Sequence, residues 1–403
     1  MRIAFILLRW LMNFIYLFMK LFPIKNNKLV FLSRQSNTPS EDFLFLQDKL
    51  LELYPDMEIV AITCRVDNSL KSMLNFAGVT LKSMYHLATS RVCLLDSYWP
   101  AVSVLHHKKE LAVIQMWHAM GKIKKSGYQS LGKKFGRSDV IAREMRMHKN
   151  YDVIIAGGRA FNPFYCASFG VEPDVLYNVG LPRMDRLREG ISEARRQFDE
   201  AYPWLRGRKI ILYAPTFRKG QVLEPSKLVD AFAFETKDML IIKRHPNQLL
   251  DVESIPPAIT GSKVPTSTVL SVCDCVITDY SAITIEAALL GKPVYFYLFD
   301  YEDYMAHNGL NVKLFDEFPG CVFSDAQELM AAINSGEYDY ANYERFREKY
   351  LPDLSGRATD KIAELIIDCM ERDKHDAISE RIARQNQADG AVGSKDTVCA
   401  QSL

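Results

Sequence analysis

The sequence lacks an excess of either charge: its 403 residues include 50 Lys or Arg and 49 Asp or Glu, a net charge of +1. Binding of polyanions through bulk charge is therefore excluded, and any basic surface must be local. The eight cysteines are scattered, and no pair with zinc-ligand spacing has a matching second pair. Cys273 and Cys275 share one face of a predicted strand, where we expect them to be buried. This cysteine usage predicts a reducing, cytosolic compartment.

Two further absences concern ligands. No cluster of carboxylates marks a metal site, so we expect no dedicated metal and no cofactor. No recognised nucleic-acid-binding motif accompanies the basic residues, so nucleic acid is not an expected partner.

The most apolar stretch is residues 3–22, IAFILLRWLMNFIYLFMKLF. On a helical wheel its polar residues form one narrow stripe, made of Arg2, Arg9, Asn13 and Lys20. A spanning helix would bury Arg9 and Asn13 in hydrocarbon, which is costly. We therefore predict an amphipathic helix at 1–25 that lies on the membrane surface with its stripe toward the head groups. A signal peptide is not expected, because no small-residue cleavage site follows; a helix packed on the protein's own core is the alternative.

The chain is too long for one ordinary core, so two domains are expected. Apolar, β-rich runs alternate with helical periodicity, which predicts an α/β fold with parallel sheets covered by helices. The strands are predicted at 28–33, 58–63, 92–95, 111–116, 152–156, from Lys209, from Met239, at 275–278 and at 294–298. We place an N-terminal domain at 26–200, a C-terminal domain at 201–375 and a disordered polar tail at 376–403.

Polar side chains follow three successive strands of the second half. Because carboxyl ends of parallel strands share one edge, these residues should meet there; they are Thr216, Arg218, Lys243, Arg244, His245, Thr278 and Ser281. Ser281 is also predicted to cap a helix that runs to about Leu290, before Gly291 and Pro293. Cations, hydroxyls and a helix N-terminus together suit a diphosphate.

A basic run lies between residues 122 and 149, with nine Lys or Arg opposed by Asp139 and Glu144. A run of this kind is usually a solvated face. This one follows directly after His118 at a predicted strand end, so we expect it to face an anion. Glycines at 127, 132 and 136 predict a loop there.

A set of short motifs covers most of 110–305. They are Gln115-Met-Trp-His118, Gly180-Leu-Pro-Arg-Met-Asp185, Tyr213-Ala-Pro-Thr-Phe-Arg218, Lys243-Arg-His-Pro246, Thr278-Asp-Tyr-Ser281, Gly291-Lys-Pro293 and Asp300-Tyr-Glu-Asp-Tyr304. In combination these motifs resemble those of the CDP-glycerol glycerophosphotransferases, which make wall teichoic acid and related poly(alditol phosphate) polymers. The sequence departs from the family pattern at Ala119-Met-Gly121 and at Ala282, which bears on the acceptor more than on the reaction.

The resemblance implies two Rossmann-like domains that face each other across a cleft (GT-B type), with the donor held mainly by the second. It also implies peripheral, monotopic attachment to the cytoplasmic face of the cell membrane. The implied reaction transfers glycerol phosphate or ribitol phosphate from a CDP-alditol to a hydroxyl of a lipid-linked or polymeric acceptor and releases CMP.

The resemblance also implies residue roles. His118 would be the general base and His245 would stabilise charge on the departing CMP, two catalytic assignments. Glu286 would bind the ribose hydroxyls. The phosphates of the donor would be held by Thr216, Arg218, Lys243, Arg244, Thr278, Asp279 and Ser281. The anionic acceptor would be held by Arg183, Lys122, Lys124 and Lys125.

Two other functions remain open from the sequence. One keeps the fold and changes the chemistry to that of a nucleotide-sugar glycosyltransferase or epimerase. The other is a catalytically inactive membrane scaffold that binds the polymer through residues 122–149, although the presence of both His118 and His245 argues against it. Glycerol versus ribitol, and primase versus polymerase, are left undecided.

Overall fold

Two parallel six-stranded sheets organise the chain. The structure, a computed structural model, describes residues 2–66, 69–134, 136–216, 218, 226–233, 238–243, 258–260 and 263–399. The first sheet contains β1 (Lys25–Ser33), β2 (Glu58–Thr63), β3 (Ser90–Leu95), β4 (Ala112–Gln115), β5 (Val153–Ile155) and β6 (Leu176–Tyr177). The second contains β7 (Ile210–Tyr213), β8 (Met239–Ile242), β9 (Ala258–Thr260), β10 (Cys275–Thr278), β11 (Val294–Tyr297) and β12 (Val322–Phe323).

Helices cover the two sheets. In chain order they are α1 (Arg2–Met19), α2 (Glu41–Leu53), α3 (Leu70–Thr89), α4 (Pro100–Val104), α5 (Asp139–Glu144), α6 (Asn162–Phe169), α7 (Pro182–Glu189), α8 (Ile191–Ala201), α9 (Ser226–Ala233), α10 (Thr266–Val272), α11 (Ile283–Leu289), α12 (Tyr301–His307), α13 (Leu314–Glu317), α14 (Ala326–Ser335), α15 (Tyr340–Tyr350), α16 (Ala358–Glu371) and α17 (Lys374–Cys399). The predicted α/β class with parallel sheets is therefore observed.

The strand order explains where a ligand can bind. It is β2-β1-β3-β4-β5-β6 in the first sheet and β12-β11-β10-β7-β8-β9 in the second. All neighbouring strands pair in parallel. The carboxyl ends of each sheet's strands consequently lie at one edge, where loops leave the sheet.

Strand β1 shows how an apolar run is buried on both faces. Leu29 and Phe31 point to α2, where the rings of Phe31 and Phe43 stack with centroids 4.6 Å apart. Val30 and Leu32 point to the opposite layer, which α1, α3 and α4 contribute. Alternate side chains of β1 therefore pack into the apolar layers on both faces of the sheet, and for this reason β1 needs a continuous apolar sequence.

The chain returns to the first sheet at its C-terminal end, which differs from the predicted boundary at 375 and the predicted disordered tail. Helix α16 packs against α2, β1 and β3. The first turns of α17 are also attached, because Lys374 Nζ lies 2.8 Å from Asp152 Oδ1 and Ile378 is buried. The apolar side chains of this polar segment are few but correctly spaced to pack, a pattern that composition alone hides.

The orientation of α1 reverses the sequence prediction. Its polar stripe faces the protein: Asn13 Nδ2 donates to the Val104 carbonyl at 2.9 Å and Asn13 Oδ1 accepts from His106 N at 3.0 Å. Arg2 pairs with Glu144 at 2.6 Å and Lys20 Nζ donates to the His106 carbonyl at 3.1 Å. The prediction that the stripe faces head groups is wrong, because backbone carbonyls and a carboxylate of the first half satisfy its donors.

The opposite side of α1 is apolar and exposed. Met12 and Tyr16 are its buried side chains, whereas Trp10 is 71% exposed and Phe14 61%. By length and composition α1 could also cross a membrane, but no membrane is part of the structure.

A buried carboxylate joins the last helices to the first half. Asp185 in α7 is 3% exposed and accepts hydrogen bonds from Ala358 N at 3.0 Å and Thr359 N at 2.8 Å, both at the start of α16. It also accepts from Thr359 Oγ1 at 2.6 Å. Asp185 thus satisfies the free amides of α16 from a distant part of the chain.

We predict that Asp185→Ala lowers the free energy of unfolding by about 2–4 kcal/mol, because buried donors lose a charged acceptor. Asp185→Asn should cost less, since one oxygen acceptor remains. The matched control is Asp316→Ala, whose side chain is 70% exposed and lies 3.9 Å from Lys313. Urea unfolding of the three variants measures the effect; an equal loss in Asp185→Ala and the control would contradict the assignment.

Candidate active site

A cavity of about 580 Å³ lies where the two sheet edges face each other. The first half contributes the segment after β4, together with Gln35 and Arg183. The second half contributes residues that follow β7 and β10 and parts of α11 and α12: Thr216, Arg218, Tyr280, Ser281, Ala282, Ile283, Glu286, Tyr304 and Asn308. Most of the predicted site residues that the structure describes line this cavity.

His118 reaches the cavity through a strained turn. Trp117, two residues after β4 ends, has φ of 61°, a left-handed conformation that is uncommon for a bulky side chain. Its amide donates to Gln115 Oε1 at 2.8 Å, and its ring lies 4.3 Å from the His118 ring. Such strain persists only where the surroundings impose it, and it fixes the direction of His118.

The hydrogen bonds of His118 define its tautomer. Nδ1 lies 3.0 Å from the Asp96 carbonyl oxygen and 3.0 Å from Gln35 Nε2. Because a carbonyl only accepts, Nδ1 carries the proton, and the interchangeable ends of the Gln35 amide allow its oxygen to share that proton. Nε2 is then an acceptor, and no residue in the described ranges hydrogen-bonds it. Burial lowers the pKa of His118 to about 4, and Lys122, Arg183 and Lys124 act in the same direction.

Lys122 is enclosed beside this histidine. Its ammonium lies 4.1 Å from the ring centre of Trp117, 4.0 Å from that of Phe169 and 5.1 Å from that of Tyr165. It also donates to Ser168 Oγ at 3.2 Å. Burial lowers the pKa of Lys122 well below its usual value. Lys122 therefore supports the Trp117 turn and also lines the cavity, and its role as an acceptor ligand stays a prediction.

The loop that carries Lys124 and Lys125 is fastened to the second half. Asn311 Nδ2 donates to the Lys122 carbonyl at 2.9 Å and to the Lys124 carbonyl at 3.2 Å. Lys125 N donates to the Gly309 carbonyl at 3.1 Å, and Lys124 forms a β-bridge with Leu310. Gly309 has φ of 85°, and a Cβ there would lie 3.2 Å from the Lys125 side chain. This part of the predicted basic run is thus a structured bridge that lines the cavity.

The second half meets the same loop at Gly121. A Cβ on Gly121 would lie 2.9 Å from Ile285 of α11 and 2.7 Å from the Phe161 ring. Only glycine fits between these side chains, so the two halves approach closely beside His118.

Asp279 is a structural carboxylate, which corrects its prediction as a donor ligand. It is fully buried and accepts from Thr216 N at 2.9 Å and from Arg218 Nη1 at 2.8 Å. Arg218 Nε also donates to Asp300 Oδ2 at 2.6 Å. Thr278 is corrected as well, because its buried hydroxyl donates to the Ala214 carbonyl at 2.8 Å. These bonds hold the ends of β7 and β10 together and leave neither Thr278 nor Asp279 for a ligand.

Two hydroxyls remain at that edge. Thr216 Oγ1 is buried and has no hydrogen-bond partner among the described residues. Ser281 lines the cavity, and its Oγ accepts only a long 3.4 Å bond from Ile283 N. The helix starts at Ile283 after Ala282, with no side-chain cap, so the prediction that Ser281 caps the helix is not observed. Both hydroxyls are placed to bind a polar ligand.

Arg183 joins the two walls of the cavity. It donates through Nε to Asp42 Oδ2 at 2.8 Å, and its Nη1 lies 3.4 Å from Glu286 Oε1. Burial raises the pKa of Glu286, and Arg183 opposes that shift. Glu286, predicted to bind ribose, therefore faces the cavity with an arginine partner from the first half.

Three predicted donor residues are not placed in the cavity. Lys243 follows β8, donates to the Val264 carbonyl at 2.7 Å and is not among the described residues that line the cavity. Arg244 and His245 lie outside the described residues. Within the described ranges no group of three or more His, Cys, Asp or Glu is arranged to hold a metal.

Sequence reasoning missed several residues of this site. Gln35 follows β1 and Asp42 lies in the first turn of α2, and neither is within a recognised motif; Asn311 also lies outside the motifs. Asp300 stands at the head of a recognised motif, so its pairing with Arg218 had a signal in the sequence.

The arrangement of two facing parallel sheets also occurs in the solved structure of the wall teichoic acid polymerase TagF. The two align with a TM-score of 0.68 at 18% identity, over 92% of this chain and 96% of that chain. This likeness concerns the fold.

The family follows from sequence. The profile of the CDP-Glycerol:Poly(glycerophosphate) glycerophosphotransferase family matches residues 13–368, and the chain belongs to that family of transferases. The teichoic acid ribitol-phosphate primase of Bacillus spizizenii is 31% identical over 86% of this chain and 92% of its own length. The teichoic acid glycerol-phosphate primase of Bacillus subtilis is 26% identical over 71% and 76%. The resemblance inferred from the motifs is confirmed.

We predict that His118 stays neutral down to a pH of about 4, because its folded pKa is depressed to that value. A histidine base works above its folded pKa, so kcat/KM should fall as the pH drops through about 4, not through about 6.5. Lys124→Gln should raise the His118 pKa, since a nearby cation is removed; the control Lys109→Gln, on the surface, should not. Nitrogen NMR of labelled histidine measures both, and a titration near 6.5 in the folded protein would contradict the assignment.

Proposed function

We propose that the chain transfers ribitol phosphate or glycerol phosphate from a CDP-alditol to a hydroxyl of a lipid-linked or polymeric acceptor, in teichoic acid or related polymer synthesis. The observation that carries the proposal is the position of His118, which lines the same cavity as Thr216 and Ser281 and whose Nδ1 faces the Asp96 carbonyl, so that Nε2 is left as the acceptor. CDP-ribitol is the first donor to test, because the ribitol-phosphate primase is the more similar of the two relatives described above.

The chemistry needs one base and a site for phosphate charge. His118 Nε2 takes the proton of the acceptor hydroxyl as its oxygen attacks the β-phosphorus of the donor. The bond from that phosphorus to the bridging oxygen breaks, CMP leaves with the electron pair, and a phosphodiester remains. Positioning and charge stabilisation supply most of the rate in phosphoryl transfer.

The donor is proposed to bind along the second sheet. Thr216 Oγ1 and Ser281 Oγ hydrogen-bond its phosphates, and Glu286 binds the ribose hydroxyls. Lys124 lines the same cavity and is proposed to face the phosphates as well. Arg244 and His245 keep their proposed roles in diphosphate binding and in stabilising the departing CMP.

The acceptor is proposed to enter from the first half. Arg183 and Lys125 line the cavity on that side and suit an anionic chain. Arg183 is already paired with Asp42, so its free donors rather than its whole charge are available to the acceptor.

Attachment to the cytoplasmic face of the membrane is proposed through the apolar side of α1. Exposed apolar side chains run along the helix, including Trp10, Phe14 and Phe18, whereas the polar stripe is hydrogen-bonded to the protein. A helix held in this way presents an apolar surface without exposing backbone polar groups. This arrangement favours a helix that lies in the membrane–water interface over one that spans the membrane.

The first experiment compares CDP-ribitol, CDP-glycerol and a UDP-sugar as donors for the purified protein with a lipid-linked acceptor, measured as CMP or UDP release. Release of CMP from a CDP-alditol that depends on acceptor supports the proposal. Turnover of the UDP-sugar alone would overturn it in favour of sugar chemistry, and no turnover of any donor would favour a scaffold.

His118→Ala should lower turnover by roughly 100-fold to 10,000-fold, the usual cost of losing a general base. Donor affinity should change little, because the base acts on the acceptor. The matched control is His375→Ala, an exposed histidine at the start of α17. CMP release and CDP-alditol binding are measured separately, and normal turnover in His118→Ala would end its assignment as base.

Replacing Trp10, Phe14 and Phe18 by Ser should weaken flotation with liposomes and leave thermal stability unchanged, since all three side chains are more than half exposed. The control replaces exposed apolar residues elsewhere, Trp204, Phe315 and Tyr340. If both triple variants float as well as the wild type, α1 is not the anchor.

A further inference from the structure

A second cavity, of about 550 Å³, lies beside α1 and belongs to no step of the proposed reaction. One of its walls is basic and is formed by Arg9 and Lys20 on α1's polar stripe and by Arg146 after α5. The other is apolar and contains Trp10 and Phe14, together with Leu17. None of its described lining residues is acidic.

The cations of this cavity are not neutralised by the protein. Arg9 Nη1 donates to the Glu144 backbone carbonyl at 3.0 Å, and the Glu144 carboxylate is taken by Arg2 at 2.6 Å. Lys20 Nζ donates to the His106 carbonyl, again a neutral partner. In the part of the chain that the structure describes, neither Arg9 nor Arg146 forms an ion pair. Positive charges gathered without carboxylates favour an anionic ligand.

Arg146 is held in place at a conformational cost. Its φ is 47°, and His148 and Asn150 also have positive φ, at 62° and 69°. Asn150 Nδ2 secures the segment by donating to the Val102 and Leu105 carbonyls, each at 2.9 Å. Left-handed backbone at an arginine is uncommon and persists where the surroundings impose it. The segment therefore holds the backbone of Arg146 in place, and its side chain lines the cavity.

We propose that this cavity binds the phosphate head group of an anionic membrane phospholipid. A free phosphate would occupy the basic wall alone and leave Trp10, Phe14 and Leu17 in water. A phospholipid matches both walls, because its acyl region continues along the apolar side of α1, where Trp10 is 71% exposed and Leu17 56%. The inference rests on the membrane attachment proposed above and adds a specific lipid contact to it.

The test measures binding of the full chain to phosphatidylcholine vesicles with and without phosphatidylglycerol. The pocket variant is Lys20→Gln with Arg146→Asn: Gln keeps a donor for the His106 carbonyl, and Asn tolerates left-handed backbone. The control, Lys71→Gln with Lys82→Gln, removes the same charge from exposed positions of α3. The wild type should prefer phosphatidylglycerol, and the pocket variant should lose about fivefold in affinity per cation. The preference for phosphatidylglycerol over phosphatidylcholine should be at least about fivefold larger in the control than in the pocket variant.

Other results would overturn the proposal. Equal losses in the two double variants would mean diffuse attraction and no pocket. Inorganic phosphate that binds the cavity as tightly as soluble short-chain phosphatidylglycerol would mean a simple anion site. A preference that needs a polyprenyl-diphosphate acceptor in the vesicles would assign the cavity to the acceptor.

The two vesicle types also distinguish a failure of the lipid pocket from a failure of the proposed membrane attachment. A wild type that binds neither vesicle overturns the attachment and the pocket together. A wild type that binds both vesicles equally overturns the pocket alone. Turnover of a water-soluble acceptor should be the same in all these variants, because the substitutions lie outside the cleft.

Discussion

The attachment of the loop after His118 to the second half of the chain is the contact on which the rest of the structure depends. Asn311 and Gly309 hold the backbone of Lys122, Lys124 and Lys125 through hydrogen bonds that cross from one sheet to the other. Together with the Arg183–Glu286 pair and the close approach of Gly121 to Ile285, they hold the two sheet edges against each other. With them, a base from the first sheet and the hydroxyls of the second line one cavity, the geometry that transfer between two substrates needs.

Buried ion pairs also hold the two sides of the cleft together. Arg218 between Asp279 and Asp300, and Arg183 between Asp42 and Glu286, are partly or fully desolvated pairs whose members would be costly alone. They tie strand ends to each other and one half to the other. The charges that would be free for substrates are consequently few, and the neutral hydroxyls of Thr216 and Ser281 share that task.

The sequence predicted the parallel α/β halves, because apolar runs buried on both faces are unmistakable in β1 and β10. It also led to the family, through motifs at strand ends. It could not separate ligands from supports: Thr278 and Asp279 stand in a recognised motif, yet their partners, Ala214 and Thr216, are some 60 residues away. The stripe of α1 was found correctly and assigned to the wrong side, because periodicity gives the polar face of a helix but not what covers it. The packing of α16 and α17 on the first sheet is likewise a long-range event.

The account's central claim is that donor and acceptor meet in the cleft at His118. The most direct measurement is a structure of the chain with a CDP-alditol bound. We expect the diphosphate against the hydroxyls of Thr216 and Ser281, with its transferring phosphorus on the side of the cavity that His118 Nε2 faces. A nucleotide bound elsewhere, or one whose phosphates point away from His118, would contradict the account.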